Sequence, residues 1–554
     1  MNINTFKQQI IVFVSAIIMG QTLHARSNFV DEASTLMLNS LSTQSKESFL
    51  RQLYTQLFFV PVWMKEYDIS RSSHDLFTHI KSDLTLEESS QLYKDTIFLE
   101  KRANTLYHSE STLSQKIEIE FKISQLYKEY TDYAYLGSIN WGAFQARISN
   151  LIVNDVRTEW VLDRPAFDAI NILENVVFGV NMAQALEEGI PKKYHYQKLQ
   201  QKLQEYREIR DNGGWKKVTL LEVPKLHQSY EGIPTLRERL SVTKDYTPCE
   251  GEPLDTFLYT ACLNKAVKHF QKRNGLAVDG AVGRGTLGVL NKSVNNRITT
   301  ILLNLDRIKW LYQAKGTEHN IIMNIPAFTL FFEEEGKLIQ TIRTIVGKPK
   351  NPTPIFSNIV RTIVLNPYWN LPNSIIQKEM IPKLMRNSNA MKRKRIEIRR
   401  GWGKNAPLVN PSTVNWAKYK NTKRLPFRFA QLPGNRNALG KIKFLFPNKY
   451  AVYMHDTPAK TLFGRTKRAF SHGCIRLQKP RELLATFSKF NDNIDLNVSK
   501  KILKGKKETV LNLKERVPVN VIYLTAWVDY EGKLQFYNDI YGYDKMQLKS
   551  FRRW

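Results

Sequence analysis

The decapeptide RAFSHGCIRL, Arg468 to Leu477, sets one of only 3 cysteines behind a Ser-His-Gly turn and ahead of an Ile-Arg pair. A thiol attacks as its anion, and imidazole is the usual group to take such a proton near neutral pH. Two histidines are candidates: His472 inside the turn, and His455 further upstream at the end of YAVYMH. If YAVYMH and CIRL are both extended, side-chain alternation puts Tyr453 with His455 on one face and Cys474 with Arg476 on one face. Pairing the two strands would then gather all four. Gly473 leaves the backbone open enough for its own amide and that of Cys474 to meet a developing oxyanion. Arg476 can hold a carboxylate with two parallel hydrogen bonds, a task lysine does less well. Taken together these residue types fit acyl transfer. His455, His472 and Cys474 could also serve as metal ligands, but no C-x-x-C or H-x-x-x-H spacing accompanies them, and His472 and Cys474 would have to bend sharply to share one ion. The expectation is no metal and no cofactor.

The elements that must position these groups follow from hydrophobic period. From about Phe29 to Leu240 the pattern is helical, clearest in FDAINILENVVFGVNMAQALEEG and in YHYQKLQQKLQEYREIRDNGG, the second ending at a Gly-Gly stop. Next, Phe257, Ala261, Val267 and Phe270 fall at helical steps before a glycine-rich turn and a second short helix. Strands come after: IIMNIPAFTLFFEE and KLIQTIRTIVG flank Glu335-Gly336, and VNVIYLTAWVDY and KLQFYNDIY flank Glu531-Gly532. Between these hairpin-like units, residues 371–425 combine helix, the basic run MKRKRIEIRR and Gly-Trp-Gly, and read as a lid or insertion. The fold class is therefore multidomain α+β: a helical scaffold over 26–245, a small helical domain over 246–295, and a β-rich domain over 296–545 that carries the lid.

Lys7 followed by IIVFVSAIIMG and by Ala25 reads as a secretory signal over 1–25; the apolar run is roughly half the ~20 residues a bilayer requires. No later segment is long and apolar enough to span, so the mature chain is expected to lack an integral membrane segment. Net charge is +31 from 82 basic and 51 acidic residues, which calls for an acidic partner. For an exported chain that partner is an anionic envelope polymer and not nucleic acid. Cys249 and Cys262 are near enough to close a short loop in an oxidising compartment, which leaves Cys474 as an intermolecular bridge, an accident or a reactive group.

VKHFQKRNGLAVDGAVGRGTLGVLN resembles the peptidoglycan-binding module found beside many wall enzymes, through Val267, Phe270, Gln271, Gly275, Leu276, Asp279, Gly280, Gly283, Thr286 and Leu290. HDTPAKTLFGRTKRAFSHGCIRL resembles the signature of the L,D-transpeptidases with a YkuD-type catalytic domain. NPTPIFSN, NPYWNLP and LPGNRNALGKIKFLFPN are similar to the large multidomain, YcbB-like branch of that family. The resemblance implies a small three-helix peptidoglycan-binding-like domain, Cys474 as acylated nucleophile, and His455 as its base, oriented by the main-chain carbonyl of Asp456. It further implies an oxyanion hole from the Gly473 and Cys474 amides with Tyr453 assisting. His472 would position the active-site turn, Ser471, Tyr453 and Asp456 would lie on the substrate-binding side, and Arg476 would contact the substrate's acidic end or brace the site. The implied reaction is periplasmic cross-linking of peptidoglycan between a tetrapeptide donor and a diaminopimelate-bearing acceptor.

Overall fold

The computed structural model describes residues 28–107, 110–150, 152–153, 156–161, 167–253, 255–311, 318–403, 405–422 and 424–551. The signal expected over 1–25 lies outside them. Among the described residues no helix is long and apolar enough to cross a membrane. The chain divides into two compact units: Met1–Ser138 with Pro165–Ile190 and Arg552–Trp554, and Ile139–Arg164 with Pro191–Phe551.

The first unit is helical, and its helices start where hydroxyl side chains can take an orphan amide. Ser48, Ser70, Ser90 and Thr112 cap the helices Phe49–Gln56, Arg71–Ser82, Gln91–Thr105 and Leu113–Leu136. At its centre Glu120 is buried and accepts from Tyr54 Oη (2.6 Å) and from the amides of Val62, Trp63 and Met64 (2.6, 2.9 and 2.9 Å). Four donors satisfy one carboxylate, which fixes the chain entering and leaving that turn. FDAINILENVVFGVNMAQALEEG is not one helix: Ala169–Val177 ends before Gly179, whose φ of +100° leaves the helical region, and Asn181 caps a second helix, Met182–Glu187.

In the second unit the helix Tyr196–Asp211 ends at Gly213 and Gly214, both at positive φ, and packs on Val294–Lys309. Helices Ile233–Val242, Ala261–Arg273 and Arg284–Leu290 share a small core of their own around Leu236, Leu263, Val267 and Phe270. Cys249 and Cys262 are joined, with Cα atoms 6.1 Å apart. Gln271 accepts from the Asp279 and Gly280 amides (3.1 and 2.8 Å) and donates to Asp279 Oδ1 and Ala281 O (2.8 and 3.0 Å), so this polar part of the motif builds the turn.

Beyond a short pair, Ile152–Val153 with Val156–Arg157, the strands are β1 (His319–Asn324), β2 (Thr329–Glu334), β3 (Lys337–Gly347), β4 (Phe356–Leu365), β5 (Trp369–Asn370), β6 (Ile396–Arg400), β7 (Phe427–Gln431), β8 (Ile442–Leu445), β9 (Met454–His455), β10 (Ala469–Ser471), β11 (Ile475–Leu477), β12 (Thr509–Ile522), β13 (Ala526–Val528) and β14 (Leu534–Phe536). The main sheet runs β10-β3-β11-β9-β8-β4-β12-β1-β2, and β2 also pairs with β3, closing the ladder. The expected hairpins are present at β2–β3 and β13–β14, with Glu335 and Gly336 at φ 48° and 77° in the first turn. One sheet face packs Ile442, Phe444, Met454, Ile475 and Leu477 into the main core.

The insertion is larger than 371–425, because its sheet β5-β7-β6 runs from Trp369 to Gln431. Leu371, Ile376, Ile381, Ile398, Trp416 and Phe427 give it a separate core. Its first helix opens with Asn373–Ile375, widens into a π-turn over Ile376–Met380, and continues as Ile381–Arg386.

Candidate active site

Only Met454 and His455 of YAVYMH are strand; Ala451 has φ 50° and the residues before Met454 leave the ladder. The pairing itself is as expected. β9 and β11 run parallel with Met454 opposite Ile475 and His455 opposite Arg476, and Ile475 donates its amide to Tyr453 O at 3.1 Å. Because Met454, Ile475 and Leu477 face the core, Tyr453, His455, Cys474 and Arg476 project from the other face. They line a cavity of about 230 Å³ with Trp369, Ile375, Glu379, Ala451, Ser471 and His472.

The turn before Cys474 is braced from several elements. Gly473 has φ +116°, and its carbonyl accepts from Thr353 Oγ1 (2.8 Å), whose oxygen also takes the Gly347 amide (2.9 Å). Thr353 lies in NPTPIFSN, which explains the place of that motif. Arg468 is buried and donates to the carbonyls of Thr344, Phe328 and Arg465 (3.1, 3.1 and 2.9 Å). Ser471 Oγ donates to Cys474 O and accepts the Gly473 amide at 3.1 Å. The Gly473 amide offered to an oxyanion in the sequence reading is thus hydrogen-bonded within the turn in this structure.

His455 is 4 % exposed, and its Nδ1 pairs with the Asp456 carbonyl, which leaves the Nε2 lone pair for a proton. The Asp456 carboxylate points elsewhere, accepting from the amides of Lys441 (2.9 Å) and Thr457 (2.7 Å) and from Lys460 Nζ (2.6 Å). Gly440, at φ +63°, makes room for it; a Cβ there would lie 2.4 Å from that carboxyl. Burial, the Arg476 guanidinium and the Lys443 ammonium pull His455 down to about 3, against the Asp456 and Leu439 carbonyls. Burial pushes the Cys474 thiol up, opposed by a Tyr453 backbone hydrogen bond, by Lys443 and Arg476, and by the Tyr453 side chain. Both shifts favour the neutral form, of the imidazole and of the thiol. The Cys474 thiol contacts Ala451 O at 3.9 Å.

His472 turns toward the lid: its Nε2 lies 2.9 Å from Glu379 Oε1 and 3.5 Å from Lys348 Nζ. With His455 on Asp456 and His472 on Glu379, the histidines flanking Cys474 serve different partners. Burial lowers His472, Lys348 lowers it further and Glu379 raises it. Arg476 Nε is buried without a hydrogen-bond partner among the described residues. Sequence reasoning missed Trp369, Glu379 and Lys443. Lys443 was readable in principle, since IKFL alternates apolar and polar residues and places it on the face away from the core.

The free cysteine, two histidines, a tyrosine and an arginine thus share one cavity between the β-sheet and its insertion. Residues 318–502 match the YkuD family, described as "L,D-transpeptidase catalytic domain"; 48–203 match "Scaffold domain" and 258–290 "Putative peptidoglycan binding domain". A curated Haemophilus influenzae protein, "Putative L,D-transpeptidase", is 34% identical over 228 residues, covering 41% of this chain and 45% of that protein. The match thus spans less than half of that relative's length. Among solved structures, an L,D-transpeptidase (Yku) from Stackebrandtia nassauensis is 16% identical over 54% of this chain and 94% of its own, at a TM-score of 0.22. L,D-transpeptidase 3 from Mycobacterium tuberculosis, in complex with a faropenem-derived adduct, is 12% identical over 37% of this chain and 61% of its own, at a TM-score of 0.18. Residues 318–502 thus carry an L,D-transpeptidase catalytic domain of the YkuD type, with scaffold and peptidoglycan-binding domains ahead of it.

Proposed function

We propose that this enzyme is a periplasmic L,D-transpeptidase that cross-links peptidoglycan through a thioester on Cys474. The observation that carries the reading is the convergence of Cys474, His455, Tyr453 and Arg476 in one cavity under the lid. A stem carboxylate docks on Arg476, whose unpartnered Nε awaits one. Its arrival offsets the positive field that holds His455 low, and so makes the imidazole a stronger base when substrate is present. His455 takes the thiol proton as Sγ bonds to the carbonyl carbon of the donor's third residue. The Cys474 amide and Tyr453 hydroxyl stabilise the oxyanion. The carbon–nitrogen bond to the terminal D-alanine breaks, and the imidazolium returns its proton to the leaving amine. The side-chain amine of an acceptor diaminopimelate then attacks the thioester, His455 removes its proton, and the thiol is released.

The excess of 82 basic over 51 acidic residues supports attraction to an anionic wall polymer. Incubation with purified tetrapeptide muropeptides, followed by product separation, tests the assignment. Dimers joined through third residues, absent with Cys474→Ala, are expected. Tripeptide monomers alone would assign a hydrolase that uses the same acyl-enzyme, and unchanged tetrapeptide would overturn both.

A further inference from the structure

Lys443 is assigned no role by the catalytic scheme above, yet the sheet aims it at the centre of the site. In β8 it lies opposite His455 of β9, and His455 lies opposite Arg476 of β11. The three form one rung on the face away from the core, a cation on each side of the imidazole. The ordinary fate of a lysine on such a face is to extend into water. Here the ammonium sits 3.9 Å from the centroid of the Tyr453 ring. No carboxylate pairs with Lys443 among the described residues; Glu508 acts on it at longer range, and Cys474 does the same. Tyr453 lines the same cavity as Cys474 and Trp369, and it and Cys474 act on each other's ionisation.

We propose that Lys443 is a positioning residue that acts through Tyr453: by standing on the phenol's π face it draws electron density from the ring and makes the hydroxyl a stronger donor to Cys474 Sγ. A cation over an aromatic face is attracted by the ring quadrupole, and the attraction grows when water is excluded. The polarised hydroxyl then stabilises the thiolate as it forms and the oxyanion that follows it, at a site where burial alone would hold the thiol protonated. The charged or titratable side chains around the sulfur are Lys443, Tyr453, His455, Arg476, His472 and, from the lid, Glu379. Of these Lys443 alone is recorded over the face of the Tyr453 ring. The inference rests on Cys474 being the nucleophile.

The test is the pH dependence of Cys474 alkylation by iodoacetamide, read by intact mass, with Cys474→Ala as blank. Removing Lys443 as Lys443→Met or Lys443→Gln is expected to raise the alkylation midpoint by about one pH unit. Below the midpoint that is about a tenfold slower reaction. Lys443→Arg should restore the wild-type profile, because a guanidinium also stacks on an aromatic face. In a Tyr453→Phe background Lys443→Met should change the rate less than twofold. An unchanged midpoint in both neutral variants would overturn the proposal, as would the same slowing with and without the tyrosine hydroxyl. The underlying reading fails separately: His455→Asn would then leave the rate of thioester formation from a tetrapeptide donor at the wild-type value, whatever Lys443 does.

Discussion

In the proposed reaction His455 carries the proton traffic at Cys474, and its environment is legible in a stability measurement. Its ordinary value is 6.5, and in the fold it is held near 3 by burial, Arg476 and Lys443. Between those two values the unfolded chain binds a proton that the folded chain does not. Stability from this group is therefore complete above pH 6.5 and is lost as pH falls toward 3, with a slope of about 1.4 kcal/mol per pH unit. Chemical denaturation across that range should show the slope, and His455→Gln should reduce it by one proton's worth. A variant with the same slope as wild type would contradict the placement of this imidazole. Arg476 shows why a single side chain at this site has two duties. It lowers His455, and in the proposed reaction it also holds the anion that relieves that effect.

At the scale of elements, what could be read from the sequence was what alternation and period determine. The grouping of Tyr453, His455, Cys474 and Arg476 followed from a side-chain period of two, and β9 and β11 pair with that parity even though β9 is only Met454 and His455. The hairpins at Glu335-Gly336 and Glu531-Gly532 followed from turn chemistry. What depends on long-range hydrogen bonding was not legible. Nothing in SHGC says that Ser471 Oγ takes the Gly473 amide, or that Glu379 reaches back from the insertion to His472. The break at Gly179 was hidden because apolar spacing continues across it in FDAINILENVVFGVNMAQALEEG. The scaffold offers its own test at this scale. Glu120→Ala strands three main-chain amides in a buried turn, leaving Tyr54 only Ser124 as partner, and should cost upwards of about 3 kcal/mol. Urea denaturation of the variant checks it; a loss under about 1 kcal/mol would mean that water replaces the carboxylate there.

For the molecule as a whole, the helical first unit, the three-helix module, the closed sheet and its insertion each have separate cores. The positive charge is a property of the entire chain, at +31, and fits a protein that works against an anionic polymer. Cys249 and Cys262 are paired, which leaves Cys474 as the free thiol. A thiol-selective acylating probe therefore has one destination. The most direct measurement is intact-mass spectrometry of the folded full chain after exposure to a carbapenem. One adduct is predicted on wild type, none on Cys474→Ala, and at least tenfold slower formation on His455→Asn. An equal adduct on Cys474→Ala, or none on the folded wild-type protein, would contradict the account.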